Sequence, residues 1–150
     1  MVRSVEGKHP NYYEAILQLR NVKEDVTNFV KQEISKHNIP VAKVVKAKNG
    51  QDYYLADNDF TKAVGKKLQQ KFGGELKVTA TLFSKKDGKD IYRVTVLFRQ
   101  AEFKKGDLVE YQGEEHIAEI MGKEIVLQNT KTSKKERVKY KDMKRIKQVQ

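Results

Sequence analysis

The chain has 150 residues, 38% of them hydrophobic and 34% charged, and 31 Lys and Arg against 20 Asp and Glu give it a net charge of +11. It has no Cys, which excludes a disulfide framework, a thiolate zinc site and a Cys nucleophile. No run approaches the roughly 20 apolar residues of a membrane span, and no apolar h-region opens the chain, so a cytoplasmic protein is expected.

Residues 12–20 alternate as a half-buried strand. Tyr13, Ala15, Leu17 and Leu19 share one face; Tyr12, Glu14, Gln18 and Arg20 share the other, interrupted by Ile16. Asn21 followed by Glu24 reads as a capping box. Val22, Val26, Phe29, Val30 and Ile34 then recur at helical spacing, and Pro40 closes that region. VAKVVKAK (41–48) is a strand, and Asn49-Gly50 turns it back into DYYLA (52–56). A second helix starts near Asp57 or Asn58, with Phe60, Val64, Leu68 and Phe72 four apart and Gly73-Gly74 as its stop. ELKVTATLF (75–83) points Leu76, Val78, Ala80 and Leu82 inward. Asp87-Gly88 turns the chain, and IYRVTVLFR (91–99) points Tyr92, Val94, Val96 and Phe98 inward.

The order β-α-β-β-α-β-β predicts an α+β domain over residues 1–101, a two-layer sandwich with both helices on one face. A ferredoxin-like core with an added strand fits this order, and so do other α+β sheets. Residues 102–150 change character. FKKGDLVEY, EEHIAEI, KEIVLQN and ERVKYKD are short strands with turns at Gln112-Gly113, Gly122 and Thr132-Ser133. This spacing predicts a second, small domain, an SH3-like β-barrel, with YKDMKR as the helical turn before the last strand. So small a core is expected to pack on the first domain.

Little reads as catalytic. His9, His37 and His116 fall in different elements, and His116 beside Glu114-Glu115 reads as a strand-edge surface cluster without the partner a general base needs. Asp57-x-Asp59 is better explained by helix capping than as half of a metal site. No phosphate-cradling loop or zincin motif is present. The expectation is a non-enzymatic protein with no cofactor, no metal and no small-molecule substrate.

The charge is segregated. Residues 1–100 hold 19 basic and 11 acidic groups, residues 101–130 hold 3 and 7, and residues 131–150 hold 9 and 2. Such segregation favours a polyanionic partner, nucleic acid first. The leading candidate is NTKTSKKERVKYKDMKRIK (129–147). Lys131, Lys134 and Lys135 crowd a turn, Lys135, Arg137, Lys139 and Lys141 share a strand face opposite Val138 and Tyr140, and Lys144 and Arg145 follow. A mobile lysine-rich tip can reach a phosphate-lined groove; the bland reading is a solvated tail. The second candidate is the polar face of the first sheet, with Lys77, Thr79 and Thr81 beside Arg93, Thr95 and Arg99, and with Arg20 and Tyr12 near them. Aromatics look sparse there, so backbone contact is expected over base stacking. Lys62, Lys66, Lys67 and Lys71 on the second helix also suit its macrodipole and weigh less. The strip of Glu110, Glu114, Glu115 and Glu119 repels phosphate and suggests a protein contact.

YYEAILQLR, preceded by Arg3 and Gly7, resembles the motif that follows the zinc-binding segment in the archaeal and eukaryotic family of the large-ribosomal-subunit export adaptor, also called the nonsense-mediated decay protein three family. FGGELK, IYRVTVLFR and FKKGDLVEY are similar to its downstream blocks, and the likeness covers most of residues 3–128. The resemblance implies a protein that binds large-subunit rRNA and ribosomal proteins in late subunit maturation, near the tRNA exit site, and a monomer is expected. It also implies that the barrel resembles translation factor five A. The Gly-Lys-His continuation of that factor's modified loop is missing after residues 130–134, so no modified lysine is expected. Family members carry CxxC pairs ahead of the motif and this chain has no Cys, so the chain reads as the body of an archaeal-type member without its zinc-binding front. The alternative function is a protein-interaction adaptor that binds a basic ribosomal protein through Glu114, Glu115 and Glu119.

Overall fold

The computed structural model describes residues 12–149. His9, Arg3 and Gly7 lie outside the described residues. The chain is α+β, with two mostly antiparallel five-stranded sheets.

The first sheet follows the expected order: β1 (Ala15–Arg20), α1 (Glu24–Lys36), β2 (Val41–Ala47), β3 (Gly50–Leu55), α2 (Asn58–Phe72), β4 (Gly74–Lys86) and β5 (Lys89–Gln100). The strands lie in the order β2-β3-β1-β5-β4, antiparallel throughout except for the parallel β1–β5 pair. The added strand is therefore central, wedged between β1 and β4. Composition explains the choice. Val94, Val96 and Phe98 let β5 be buried on the helix side, whereas Lys77, Thr79 and Thr81 suit β4 to an edge. Leu17, Leu19, Val94, Val96 and Phe98 form one core with Val26 and Val30 of α1 and Val64 and Leu68 of α2.

Four local readings are corrected. Asn21 is no helix cap: it adopts φ 54° in the turn leaving β1, and Lys23 precedes the helix without a side-chain cap. The buried Gln100 side chain accepts from the Lys23 N–H at 2.7 Å instead. The β4–β5 strands run further than their alternation suggested, because Asp87-Gly88 (φ 52° and 76°) keeps them paired to the tip. This hairpin outruns β1, which pairs with β5 only from Val94 to Arg99. Leu82 and Tyr92 are in consequence exposed rather than inward, and Val78 is exposed too, on the edge strand β4 opposite Val96. Finally, a bend at Glu14 reverses the alternation ahead of β1. Glu14 is buried and accepts from Tyr12 and Asn58, while Tyr13 joins the opposite face of the sheet.

The second sheet comprises β6 (Leu108–Tyr111), β7 (Glu114–Met121), β8 (Ile125–Asn129), β9 (Lys135–Val138) and β10 (Lys147–Gln148), in the order β10-β6-β7-β8-β9. A 3-10 turn at Tyr140–Arg145 precedes the last strand, where a helical turn was expected. Among the described residues no ladder joins β9 to β10, so the barrel is not closed. Its core gathers Val109, Ala118, Ile125, Leu127, Val138 and Ile146. His116 is 3% exposed inside this sheet, with Nδ1 2.9 Å from the Glu114 carbonyl and its ring edge-on to Tyr111, so it is not a surface residue.

The two sheets meet at the end of α2. Gly73 caps that helix at φ 80°, and its carbonyl accepts from the Ala101 N–H at 3.2 Å. A Cβ on Gly73 would lie 2.9 Å from the Met121 side chain of the second sheet. Glycine is needed here both for the left-handed backbone and for the close approach. Tyr140 is buried beside this junction, near Gly74.

Candidate nucleic-acid interface

Pairing registers lay out the face of the first sheet that points away from the helices. One row crosses all five strands as Lys43, Tyr54, Ile16, Thr95 and Thr79. The next runs Val45, Asp52, Gln18, Leu97 and Lys77, and the next ends in Arg20, Arg99 and Glu75. Arg93 and Thr81 stand opposite each other on the far side of the first row. The sequence-predicted Arg20, Lys77, Arg93 and Arg99 thus share one face.

Their states differ. Arg20 donates to Asp52 at 2.7 Å and to the Leu19 carbonyl at 2.9 Å. Arg99 lies 3.7 Å from Glu75. Arg93 has no hydrogen bond or ion pair among the described residues, and its Nε is buried without a partner. Its guanidinium carbon instead lies 4.1 Å from the centre of the Tyr13 ring and 4.2 Å from that of Phe83. Tyr13 meets Tyr54 edge-on at 4.8 Å, and the Lys43 ammonium lies 4.5 Å from the Tyr54 ring centre. A continuous run of cations and rings, Lys43-Tyr54-Tyr13-Arg93-Phe83, therefore crosses the sheet. Cation–π contacts of this kind hold a cation in place without neutralising it.

The expectation of few aromatics on this face is overturned. Tyr54 was legible, since the inward Leu55 next to it fixes its side. Phe83 was legible too, since it alternates with Leu82 and shares the side of Thr81; the bulge between the Leu82–Tyr92 and Ser84–Ile91 pairs follows it. Tyr13 was misplaced by the bend at Glu14.

The basic stretch of the second sheet is dispersed. Lys131 and Lys134 occupy the β8–β9 turn, but the tip is built rather than loose. Asn129 Oδ1 accepts from the Lys131 and Thr132 N–H groups at 2.8 and 3.0 Å, and Thr130 Oγ1 donates to Glu115 Oε1 at 3.1 Å. Asn129 also donates to Glu114 Oε2, and Lys135 pairs with Glu119 at 3.1 Å. All three predicted acidic residues thus hold this hairpin. Lys135 and Arg137 lie on β9, but the strand ends at Val138. Lys139 continues in extended backbone and is exposed, as are Lys135 and Arg137, between the buried Val138 and Tyr140, whereas Lys141 lies within the 3-10 turn and leaves that face. Lys139 and Lys141 line a hollow with Glu75, Lys123 and Glu124. Lys144 does meet the first sheet: with Arg99 and Lys147 it lines a cleft of about 430 Å³ whose acidic member is Glu102.

Nothing converges for catalysis. Asp57 caps α2 by accepting from the Phe60 N–H at 2.9 Å. No three His, Asp or Glu side chains among the described residues could hold a metal. No helix among them is long and apolar enough to cross a membrane.

A family model described as NMD3, second domain, matches residues 12–99, which span both helices and all but the last residue of the first sheet. The chain belongs to the NMD3 family. No curated protein matches it. NMD3 proteins are ribosome-biogenesis and export adaptors associated with the large subunit, not a known enzyme family. The chain is accordingly a ribosome-related factor.

Proposed function

We propose that the chain is a non-enzymatic, cytoplasmic factor that binds large-subunit rRNA during late subunit maturation, docking near the tRNA exit site as a monomer. The observation that carries this reading is the helix-free face of the NMD3-matched sheet. It presents Lys43, Lys77 and Arg93 with no carboxylate bonded to any of them among the described residues, and it runs through Arg99 toward Lys144. A polyanion is the partner such a face favours. We read residues 1–101 as a two-layer α+β domain and 102–150 as an SH3-like domain resembling translation factor five A. Two separate cores and the 3-10 turn before β10 support that division.

The adaptor reading through Glu114, Glu115 and Glu119 is weaker. Each of these carboxylates already bonds to the β8–β9 hairpin. Co-sedimentation with purified archaeal large and small subunits at about 0.15 M salt tests the main reading. Pelleting with the large subunit alone is expected. Equal pelleting with both, or none with either, overturns it.

A further inference from the structure

Arg93 is the least expected group on the helix-free face. It is half-buried, its Nε–H is desolvated without an acceptor, and no carboxylate bonds to it among the described residues. Leaving a buried donor unpaired costs free energy that a structural arginine usually recovers with a salt bridge, as Arg20 and Arg99 do here. Arg93 instead has its guanidinium packed against the rings of both Tyr13 and Phe83. The rings hold the guanidinium in place without accepting from it, which leaves its donors unspent. A planar donor fork of this kind matches a phosphate or the acceptor edge of a base.

The surroundings narrow the ligand. Phe83 is 38% exposed at the bulge of an edge strand, so part of its ring surface is open. Bases inside a duplex have both faces covered by their neighbours, so only an unpaired base can gain by stacking on that ring. The adjacent positions are Thr81, Thr79 and Thr95, hydroxyl groups able to bond a ribose 2′-hydroxyl or a phosphate, and Lys77 follows one row further. The nearest carboxylates in the registered rows, Asp52 and Glu75, are held by Arg20 and Arg99.

We propose that Phe83, Arg93 and Tyr13 form a stacking site for an unpaired nucleotide of RNA, with Arg93 donating to the base edge or its phosphate. This rests on the rRNA-binding reading and narrows it to single-stranded nucleotides, in place of the duplex backbone that charge alone would favour.

The test is fluorescence-anisotropy titration of the intact chain with two labelled probes at matched salt: a short single-stranded oligoadenylate and a blunt RNA duplex. The single strand is expected to bind more tightly. Phe83→Leu should weaken it by roughly 5- to 150-fold, the range for one lost base–aromatic stack, while leaving duplex binding unchanged. Phe83→Trp should restore the affinity. Arg93→Lys, which keeps the charge and loses the planar fork, should weaken single-strand binding with the salt slope intact. Phe83 is exposed, so its variant is expected to fold, and an unchanged circular-dichroism melt verifies that. If both probes bind equally and Phe83→Leu changes neither, the stacking site is wrong while rRNA binding stands. If neither probe binds the wild-type chain, both readings fail together.

Discussion

The Arg20 guanidinium donates to the Asp52 carboxylate across 2.7 Å, tying β1 to β3 on the same sheet face where Arg93 has no carboxylate partner. Two arginines that look alike in the sequence therefore carry different duties. Arg20 also donates to the Leu19 carbonyl, so its charge is spent on the sheet. Replacing it with Gln should cost about 1–2 kcal/mol of stability, the range for a partly buried charge-assisted hydrogen bond. RNA affinity should change less than about twofold, since a charge already paired contributes little to counterion release. Urea denaturation and a binding titration on the same variant give both numbers. A large affinity loss at unchanged stability would return Arg20 to the binding surface.

The lysines of the β8–β9 hairpin separate in the same way. Lys135 is paired with Glu119, whereas Lys131 and Lys134 enter the turn through their backbone N–H groups, which leaves their ammonium groups available. If the tip meets phosphates, Lys131→Gln and Lys134→Gln should each reduce the log–log salt slope of binding by roughly 0.7 to 0.9. Lys135→Gln should reduce it less, because that charge is already paired with Glu119. Equal slopes for all three variants and the wild type would remove the hairpin from the interface.

Acid should loosen the helical layer. Glu33 of α1 accepts from Lys67 of α2 at 2.7 Å, and that hydrogen bond leads the forces holding its carboxyl below the ordinary value of 4.5; desolvation opposes it, and Lys67, Lys36 and His37 add attraction. A carboxyl with a lowered folded pKa stabilises the fold fully above its unfolded pKa. That contribution fades as pH falls from about 4.5 through the folded value. Glu33→Gln should therefore lose about 1 kcal/mol at pH 7, a figure discounted because Lys67 is half exposed, and should lose almost nothing at the acid end. Stability curves of the two proteins that stay parallel from pH 7 to pH 3 would contradict this.

Much of the fold was legible because local chemistry agreed with the global arrangement. Asp87-Gly88 and Gln112-Gly113 are left-handed at the turns where they were expected, while the first hairpin turns one residue earlier, on Lys48-Asn49, with Asn49 left-handed and Gly50 already paired in β3. Asp57 and Gly73 bound α2 as their types dictate. Failures came where one residue breaks a period. The bend at Glu14 moved Tyr13 to the other face, where it meets Tyr54. The central position of β5 was also hidden, since pairing order depends on which strand the helices can cover rather than on chain order. At the candidate site, charge located Arg20, Arg93 and Arg99 on one face. Only the contacts of each guanidinium tell which of them is spent.

Alkali should act through the junction of the two sheets. Tyr140 is 5% exposed, and burial pushes its phenol up to about 12. The Gly74 main chain favours the ionised form somewhat, yet the hydroxyl finds no partner at full hydrogen-bond distance and angle. The folded pKa lies above the unfolded value of 10, so the neutral phenol's contribution is fully present below pH 10. It is lost as pH rises from 10 toward 12, where the unfolded chain releases the proton first, at a slope of up to about 1.4 kcal/mol per pH unit. Tyr140→Phe removes both the titration and an unbonded buried hydroxyl. It should leave stability at pH 7 unchanged or raised by up to about 1 kcal/mol, and it should flatten the fall between pH 10 and 12. Denaturation midpoints at pH 7, 10 and 11.5 decide the matter. A Tyr140→Phe loss of more than about 1 kcal/mol at pH 7 would mean that the hydroxyl bonds across the junction in solution and that the two sheets depend on it.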